Sequence, residues 1–191
     1  MKSSIYLLPG RGGCLNQGLG AELQRRGFKL YGRELRDEFA KLPFATQVEM
    51  VADDLHAHFW HKDAGVVANS FGAYLFLQAQ AQLTPFPGRV LLLSPIVGES
   101  VFEEKMMFFV PPRADKLRKH LFSGQYPRPD SCEIHVGEED WQSNPTNVMA
   151  IGKSLGISVT VVPTAGHRLG PDYVGLVLDN WLNTFPEADV S

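Results

Sequence analysis

A serine, an aspartate and a histidine occur in this sequence at three places where an apolar run ends. Ser70 lies close to small residues, Asp140 closes a Gly-Glu-Glu-Asp sequence, and His167 follows a glycine. A serine hydroxyl is a weak nucleophile until a base such as histidine removes its proton, and a carboxylate can orient that histidine. If the fold brings the three side chains together, they have the chemistry needed for nucleophilic catalysis.

The serine is predicted to lie on a tight turn between a strand and a helix. The run 64–68 is short and valine-rich, which is typical of a buried strand, whereas 73–79 has Ala, Leu and Gln at helical spacing. Ala68 and Gly72 are small, as the positions two before and two after the serine of a nucleophile elbow must be. The usual first glycine is replaced by Ala68. A serine that only caps the following helix would fit the same pentapeptide.

Apolar periodicity along the rest of the chain predicts alternating strands and helices. Short apolar runs predict strands over 5–8, 28–31, 64–68, 89–95, 131–136 and 157–162. Helical spacing predicts helices over 17–26, 46–62, 71–83, 113–122, 145–155 and from 171 to 185. The pair Thr46 and Glu49 matches a capping box and predicts the start of the second helix at Thr46. Because parallel neighbours need crossover connections, the alternation indicates an α/β protein, a three-layer α/β/α sandwich with a mainly parallel sheet of about six strands.

The candidate residues all fall in loops that follow predicted strands. These loops carry the glycine-rich stretch 10–13, Ser70, Asp140 and His167. The carboxyl ends of parallel strands lie on one edge of the sheet, where ligand sites form in open α/β folds. We therefore expect the serine, the acid and the histidine to meet at that edge.

The motifs and their order make the chain resemble a small α/β-hydrolase. The segment 68–72 is similar to the nucleophile elbow of that family, 137–140 to its Gly-x-x-Asp loop, and Gly166-His167 to its Gly-His sequence. The resemblance runs from Ile5 to Phe185. It implies the α/β-hydrolase fold in a compact form, without counterparts of the two strands that usually come first.

The resemblance also implies a role for each residue of the catalytic group. Ser70 is expected to be the nucleophile, His167 the general base, and Asp140 the acid that orients the histidine. Glu138 and Glu139 lie beside Asp140, and either one remains an alternative partner of the histidine.

An oxyanion hole needs two N–H donors close to the nucleophile. By the geometry of the family, one donor is the backbone N–H of Phe71, and the other comes from the first glycine loop, at Arg11 or Gly12. The usual His-Gly of that loop is Pro9-Gly10 here. The side chain of Arg11 can pair with a carboxylate or phosphate of a substrate, or it can be a solvated loop arginine.

These residues predict a serine hydrolase that cleaves a small carboxylic ester or thioester through an acyl-enzyme, without a metal or organic cofactor. The expected partner is that small-molecule substrate, whose substrate-binding residues the sequence does not identify. Two alternatives remain. One is a binding protein that keeps the fold without turnover, since fold alone does not guarantee chemistry. The other is an acyltransferase that uses the same three residues.

Composition narrows the class of protein further. The chain has 191 residues, 44% of them hydrophobic, with a net charge of −3. This composition favours one domain over 1–191 and gives no reason to expect a nucleic-acid partner. No apolar run reaches the ~20 residues of a membrane span, and the apolar start is too short for a signal peptide, so we expect a cytoplasmic protein. Cys14 and Cys132 are expected to be free thiols.

The stretch 98–130 departs from the regular alternation of strands and helices. Its first part, 101–110, mixes acids with a cluster of Met and Phe residues at 106–109, and the basic, helix-prone piece 113–122 follows. Families of this fold often insert a lid or cap at this point. The cluster is expected either to line an acyl pocket or only to cover the edge of the sheet.

Overall fold

The computed structural model describes residues 4–183, and within them the chain forms eight strands and seven α-helices. The strands are β1 (Ser4–Leu8), β2 (Lys29–Gly32), β3 (Gly65–Asn69), β4 (Arg89–Leu93), β5 (Ser100–Phe102), β6 (Met107–Phe109), β7 (Ser131–Gly137) and β8 (Ser158–Val162). The helices are α1 (Leu19–Arg25), α2 (Asp37–Lys41), α3 (Phe44–His58), α4 (Phe71–Gln80), α5 (Ala114–Leu121), α6 (Pro145–Leu155) and α7 (Pro171–Leu182).

Six of these strands form one parallel sheet in the order β2-β1-β3-β4-β7-β8. All five strand pairs in it are parallel. Strands β5 and β6 pair antiparallel with each other in a separate hairpin. The predicted three-layer α/β/α sandwich with a mainly parallel sheet of about six strands is therefore confirmed.

The central strands are buried on both faces, which explains why their sequences are almost continuously apolar. In β3, Val66 and Ala68 face a larger core that contains residues of α3, α4, α5 and α6. Val67, between them, faces a smaller core with α1 and α7. The strand is thus held from two sides, and its carboxyl end is a fixed platform for the residue that follows it, Ser70.

The predicted capping box at Thr46 is wrong. Helix α3 begins at Phe44, directly after Pro43, and Thr46 lies inside its first turn. Pro43 is in an extended conformation, and its carbonyl accepts the first hydrogen bond of the helix, from the amide of Gln47, at 3.0 Å. The helix starts where the proline ends the preceding loop, without a side-chain cap. The last predicted helix extends to Phe185, which lies outside the described residues.

The stretch 98–130 contains the β5–β6 hairpin and α5, and two tyrosines attach it to the body of the protein. The hydroxyl of Tyr74 on α4 donates to the carbonyl of Pro112 at 2.6 Å, and the hydroxyl of Tyr126 donates to the carbonyl of Leu77 at 2.9 Å. Burial raises the pKa of Tyr74 to about 12, so it remains a neutral donor near neutral pH. The prediction that this stretch is a lid stays a prediction.

None of the helices in residues 4–183 has both the length and the apolar character needed to cross a lipid bilayer.

Candidate active site

Ser70 lies on a strained turn between β3 and α4. Its backbone has a φ of 53°, in the region that side chains other than glycine rarely adopt. Its amide donates to the carbonyl of Leu93 at 3.0 Å, and its carbonyl accepts from the amide of Ile96 at 3.2 Å. These two bonds to the segment at and after the end of β4 hold the turn in place. A non-glycine residue in such a conformation is typical of functional sites, and it matches the elbow expected from the sequence.

Gly72 explains why the turn can be so tight. A Cβ at this position would lie 2.2 Å from the carbonyl oxygen of Leu8 and 2.4 Å from that of Pro9. The start of α4 therefore packs directly on the backbone that leaves β1. Only glycine allows this approach, and the approach brings the glycine loop beside the serine.

The structure brings Ser70, His167 and Asp140 into one chain of hydrogen bonds. The Oγ of Ser70 is 2.8 Å from Nε2 of His167. On the other side of the ring, Nδ1 of His167 is 2.9 Å from both carboxylate oxygens of Asp140. With the proton on Nδ1, the ring donates to the carboxylate and its Nε2 is free to accept the serine proton. This is the arrangement that a serine–histidine–acid triad requires.

Gly137 is the residue that lets the acid and histidine loops meet. A Cβ on it would lie 2.2 Å from the carbonyl oxygen of Ala165 and 2.3 Å from that of Gly166. The end of β7 thus touches the backbone that follows β8. Asp140 and His167 follow these two contact points in sequence, so their side chains start close together.

Asp140 is held as a buried carboxylate, with only 1% of its surface exposed. Its Oδ1 accepts hydrogen bonds from the amides of Gln142 at 3.0 Å and Ser143 at 2.8 Å. The two neighbouring acids do not reach the histidine: Glu138 accepts instead from the amide of Thr164, and Glu139 is exposed. Of the three acids considered from the sequence, the structure places Asp140 against the ring.

Ser143 is a residue of this site that the sequence analysis missed. Its hydroxyl donates to the carbonyl of Ser94 at 2.6 Å and lies 3.4 Å from Nδ1 of His167. Ser143 therefore links the acid loop to the end of β4. An Asp followed three residues later by Ser is a signal for such a turn, since Asp side chains often accept hydrogen bonds from amides a few residues on.

The backbone amides of Phe71, the first residue of α4, and of Arg11 have no hydrogen-bond acceptor among residues 4–183. The loop that carries Arg11 lies against the serine, because a Cβ on Gly10 would be 3.4 Å from the Cβ of Ser70. Gly12, the other donor considered from the sequence, already donates its amide to the carbonyl of Leu35 at 2.8 Å. In this conformation Gly12 is not available to an oxyanion, and Arg11 is.

A cavity of about 650 Å³ opens in front of Ser70 and His167. Its apolar wall includes Leu19, Leu93, Ile96, Phe109, Leu169 and Val174. Its charged side chains are those of Arg11, Glu22 and Arg168. A cavity of this size and character suits a small organic molecule with a few polar groups.

His135 on β7 is partly buried, and its Nδ1 lies 2.7 Å from the hydroxyl of Tyr173 on α7. Within residues 4–183, no group of three or more His, Cys, Asp or Glu side chains is arranged to hold a metal ion.

Solved structures with the same architecture include several hydrolases. The ydeN gene product of B. subtilis superimposes with a TM-score of 0.68 at 14% identity, covering 96% of this chain and 100% of the other. Alpha/beta hydrolase domain-containing protein 10 from mouse gives 0.67 at 12% identity, covering 94% and 89%. A carboxylesterase structure from the thaumarchaeon Nitrososphaera gargenis gives 0.61 at 12% identity, covering 95% and 89%.

These similarities extend over nearly the whole chain, and they show that it has the α/β-hydrolase fold. No protein-family model matches the sequence, and no curated protein matches it significantly. At such low identity the shared property is the fold, so an argument about chemistry has to come from the residues of the site.

Proposed function

We propose that this protein is a serine hydrolase that cleaves a small carboxylic ester or thioester through an acyl-enzyme. The observation that carries the proposal is the continuous hydrogen-bonded chain from Ser70 through His167 to the buried Asp140. Its three members come from loops after β3, β8 and β7, far apart in sequence. The contact between Ser70 and His167 is the one through which the proton must pass, and Asp140 stabilises the imidazolium that forms.

In the first half of the reaction, Oγ of Ser70 attacks the acyl carbon while its proton passes to Nε2 of His167. The carbonyl oxygen becomes an oxyanion, which accepts hydrogen bonds from the amides of Phe71 and Arg11. Collapse of this intermediate breaks the bond to the alcohol or thiol. The leaving group takes the proton from His167, and the acyl group stays on Ser70.

In the second half, water takes the place of the leaving group. His167 accepts a proton from water, whose oxygen attacks the acyl carbon of the ester on Ser70. When the second intermediate collapses, Ser70 recovers its proton from His167 and the carboxylic acid departs. Asp140 stabilises the imidazolium in both halves by accepting the hydrogen bond from Nδ1.

The contacts at Ser70 favour catalysis over the alternative of a binding protein without turnover. A non-catalytic relative has no need to keep the serine hydroxyl 2.8 Å from an imidazole. It also has no need to leave the amides of Phe71 and Arg11 without an acceptor in the described part of the chain. The acyltransferase alternative differs only in the acceptor that attacks the acyl-enzyme, and analysis of the products separates it from hydrolysis.

The test is labelling with a fluorophosphonate probe, which reacts with serines that a base and an oxyanion hole activate. We expect the wild type to be labelled, and Ser70→Ala and His167→Ala to lose labelling. Ser123→Ala is the matched control, because Ser123 is an exposed serine just after α5 that does not line the cavity, and its hydroxyl donates to the carbonyl of His120. Esterase activity should follow the labelling, with a loss of about 10⁶ in kcat for Ser70→Ala. A folded wild type that is not labelled would contradict the proposal.

A further inference from the structure

The cavity in front of Ser70 has an unbalanced charge. Among its lining residues, Glu22 is paired twice, with Arg25 and with Arg26, the latter at 2.8 Å. Arg11 and Arg168 line the same cavity, and neither forms an ion pair or side-chain hydrogen bond with another described residue. The acidic group is thus already offset, whereas the two guanidinium groups are not. The cavity is locally cationic although the whole protein has a net charge of −3.

Arg11 is also held in a defined position. Its guanidinium carbon lies 4.0 Å from the centre of the Phe71 ring and 5.7 Å from that of Phe109. When a guanidinium stacks on an aromatic ring, the contact uses the flat face of the guanidinium. Its N–H groups, which point outward in the guanidinium plane, stay free to bind oxygens. Phe71 is the residue after the proposed nucleophile, so this free edge lies beside the place where an acyl group would bind.

Stacking alone does not define a binding site. Arg118 on α5 lies 5.4 Å from the ring centre of Phe122, in a similar manner, but it does not line the cavity. What distinguishes Arg11 is the combination of a guanidinium stacked on Phe71, the absence of a counter-ion among the described residues, and a second arginine without an ion-pair partner among them, Arg168, lining the same cavity. A planar fork with free donors matches the oxygens of a carboxylate or a phosphate.

We propose that the substrate is an anionic ester or thioester, whose carboxylate or phosphate is bound by the side chain of Arg11, with Arg168 contributing charge. This inference rests on the proposed function and adds the substrate class. In this proposal the amide of Arg11 binds the oxyanion and its side chain binds the anionic group, so one residue contacts the substrate at two points.

The test compares matched pairs of substrates that differ in charge. The first pair is p-nitrophenyl hemiglutarate and p-nitrophenyl valerate, which place a carboxylate or a methyl group at the end of acyl chains of equal length. The second pair is S-butyryl-4′-phosphopantetheine and S-butyrylpantetheine, which share the acyl group and differ by one phosphate on the thiol. The quantity measured is the ratio of kcat/KM for the charged substrate to that for the neutral one.

The variants are Arg11→Gln, Arg11→Lys and Arg168→Gln, with Arg118→Gln as the matched control. Arg118→Gln removes the same charge from a stacked arginine outside the cavity, and it should keep the wild-type ratio. In Arg11→Gln we expect the ratio to fall by about tenfold, as loss of one charge-assisted hydrogen bond predicts. Arg11→Lys should keep part of the wild-type ratio, and Arg168→Gln should lower the ratio less than Arg11→Gln does. The ratio is used because it cancels any effect of the substitution on the oxyanion hole.

The outcomes separate this inference from the proposed function. A lower ratio in either pair supports the inference and tells whether the anion belongs to the acyl group or to the thiol. If Arg11→Gln leaves the ratio within twofold of wild type in both pairs, the inference is wrong and the hydrolase remains. Labelling of the wild type without cleavage of either charged substrate also overturns it. Absence of fluorophosphonate labelling in the wild type removes the proposed function itself, and the inference with it.

Discussion

The loops at the carboxyl edge of the sheet and the β5–β6 hairpin both lie near the cavity, yet they are held in different ways. At the sheet edge, backbone meets backbone: Gly72 contacts the carbonyls after β1, and Gly137 contacts those after β8. In the hairpin, large apolar side chains point outward, with Met106 78% and Phe108 73% exposed. The sheet-edge loops are held by close backbone contacts, whereas much of the apolar surface of the hairpin is exposed.

The difference follows from what each region has to do in the proposed reaction. Transition-state stabilisation requires donors and the base to be in position before the substrate arrives, because any reorganisation adds to the barrier. That requirement falls on Ser70, His167 and Asp140, which the sheet edge holds in place. Recognition of an acyl chain needs only a surface of suitable character, and Phe109 supplies such a surface from the inner face of the hairpin.

Among substitutions in the loops at the sheet edge, other than removal of Ser70 or His167, we expect Asp140→Asn to lower activity most. An asparagine can donate to the ring and so favours the wrong tautomer of His167, leaving Nε2 protonated. We expect kcat to fall by about 10⁴, measured with p-nitrophenyl valerate. Glu139→Gln is the control, because it neutralises the adjacent but exposed acid. Equal losses in both variants would show that the charge of the loop matters and not the contact of Asp140 with the ring.

Gly72→Ala tests the backbone contact that shapes the elbow. The added Cβ would be placed 2.2 Å from the carbonyl oxygen of Leu8, so either α4 or the loop after β1 must move. We expect a loss of about 3 kcal/mol in the free energy of unfolding, with a loss of fluorophosphonate labelling under conditions in which the variant is still folded.

Gly98→Ala is the matched control for that substitution. A Cβ on Gly98 has no heavy atom within 4 Å, and the residue does not have a positive φ. Its unfolding midpoint in urea and its labelling should therefore stay close to wild type. If Gly72→Ala were as harmless as Gly98→Ala, the elbow would be less tightly held than its contacts indicate.

The sequence was sufficient to predict the architecture and the loops that carry the candidate residues. It could do so because strand–loop–helix order is local and parallel strands place their carboxyl ends together. It did not reveal the hydrogen bond from Ser143 to Ser94, the use of the Gly12 amide by Leu35, or the stacking of Arg11 on Phe71. Each of these joins residues that are distant in sequence, so it depends on how the loops fold over one another.

The start of α3 was predicted wrongly for a different, local reason. The pair Thr46 and Glu49 matches the local pattern of a capping box, but the proline at 43 ends the loop earlier and the helix begins there. Pro43 occupies the N-cap position with a ψ of 140°, and its carbonyl accepts the first helical hydrogen bond, so Thr46 falls inside the first turn. Such conflicts are decided by a few tenths to about 1 kcal/mol, which residue patterns alone do not resolve.

The smallest effect, and the sharpest test of the comparison, is expected within β6 itself. Phe108 and Phe109 are consecutive, so their side chains leave the strand on opposite faces. Phe109 packs against the main core and lines the cavity, whereas Phe108 is exposed.

We expect Phe109→Ala to lower the free energy of unfolding by about 1–2 kcal/mol, less than for a fully buried phenylalanine, and to raise KM for p-nitrophenyl valerate. Phe108→Ala should change stability by less than about 0.5 kcal/mol and leave KM near wild type. Urea unfolding and steady-state kinetics measure both. If Phe108→Ala destabilised the protein as much as Phe109→Ala, the outer face of the hairpin would also be covered in solution. The hairpin and the sheet edge would then not differ in how exposed their side chains are.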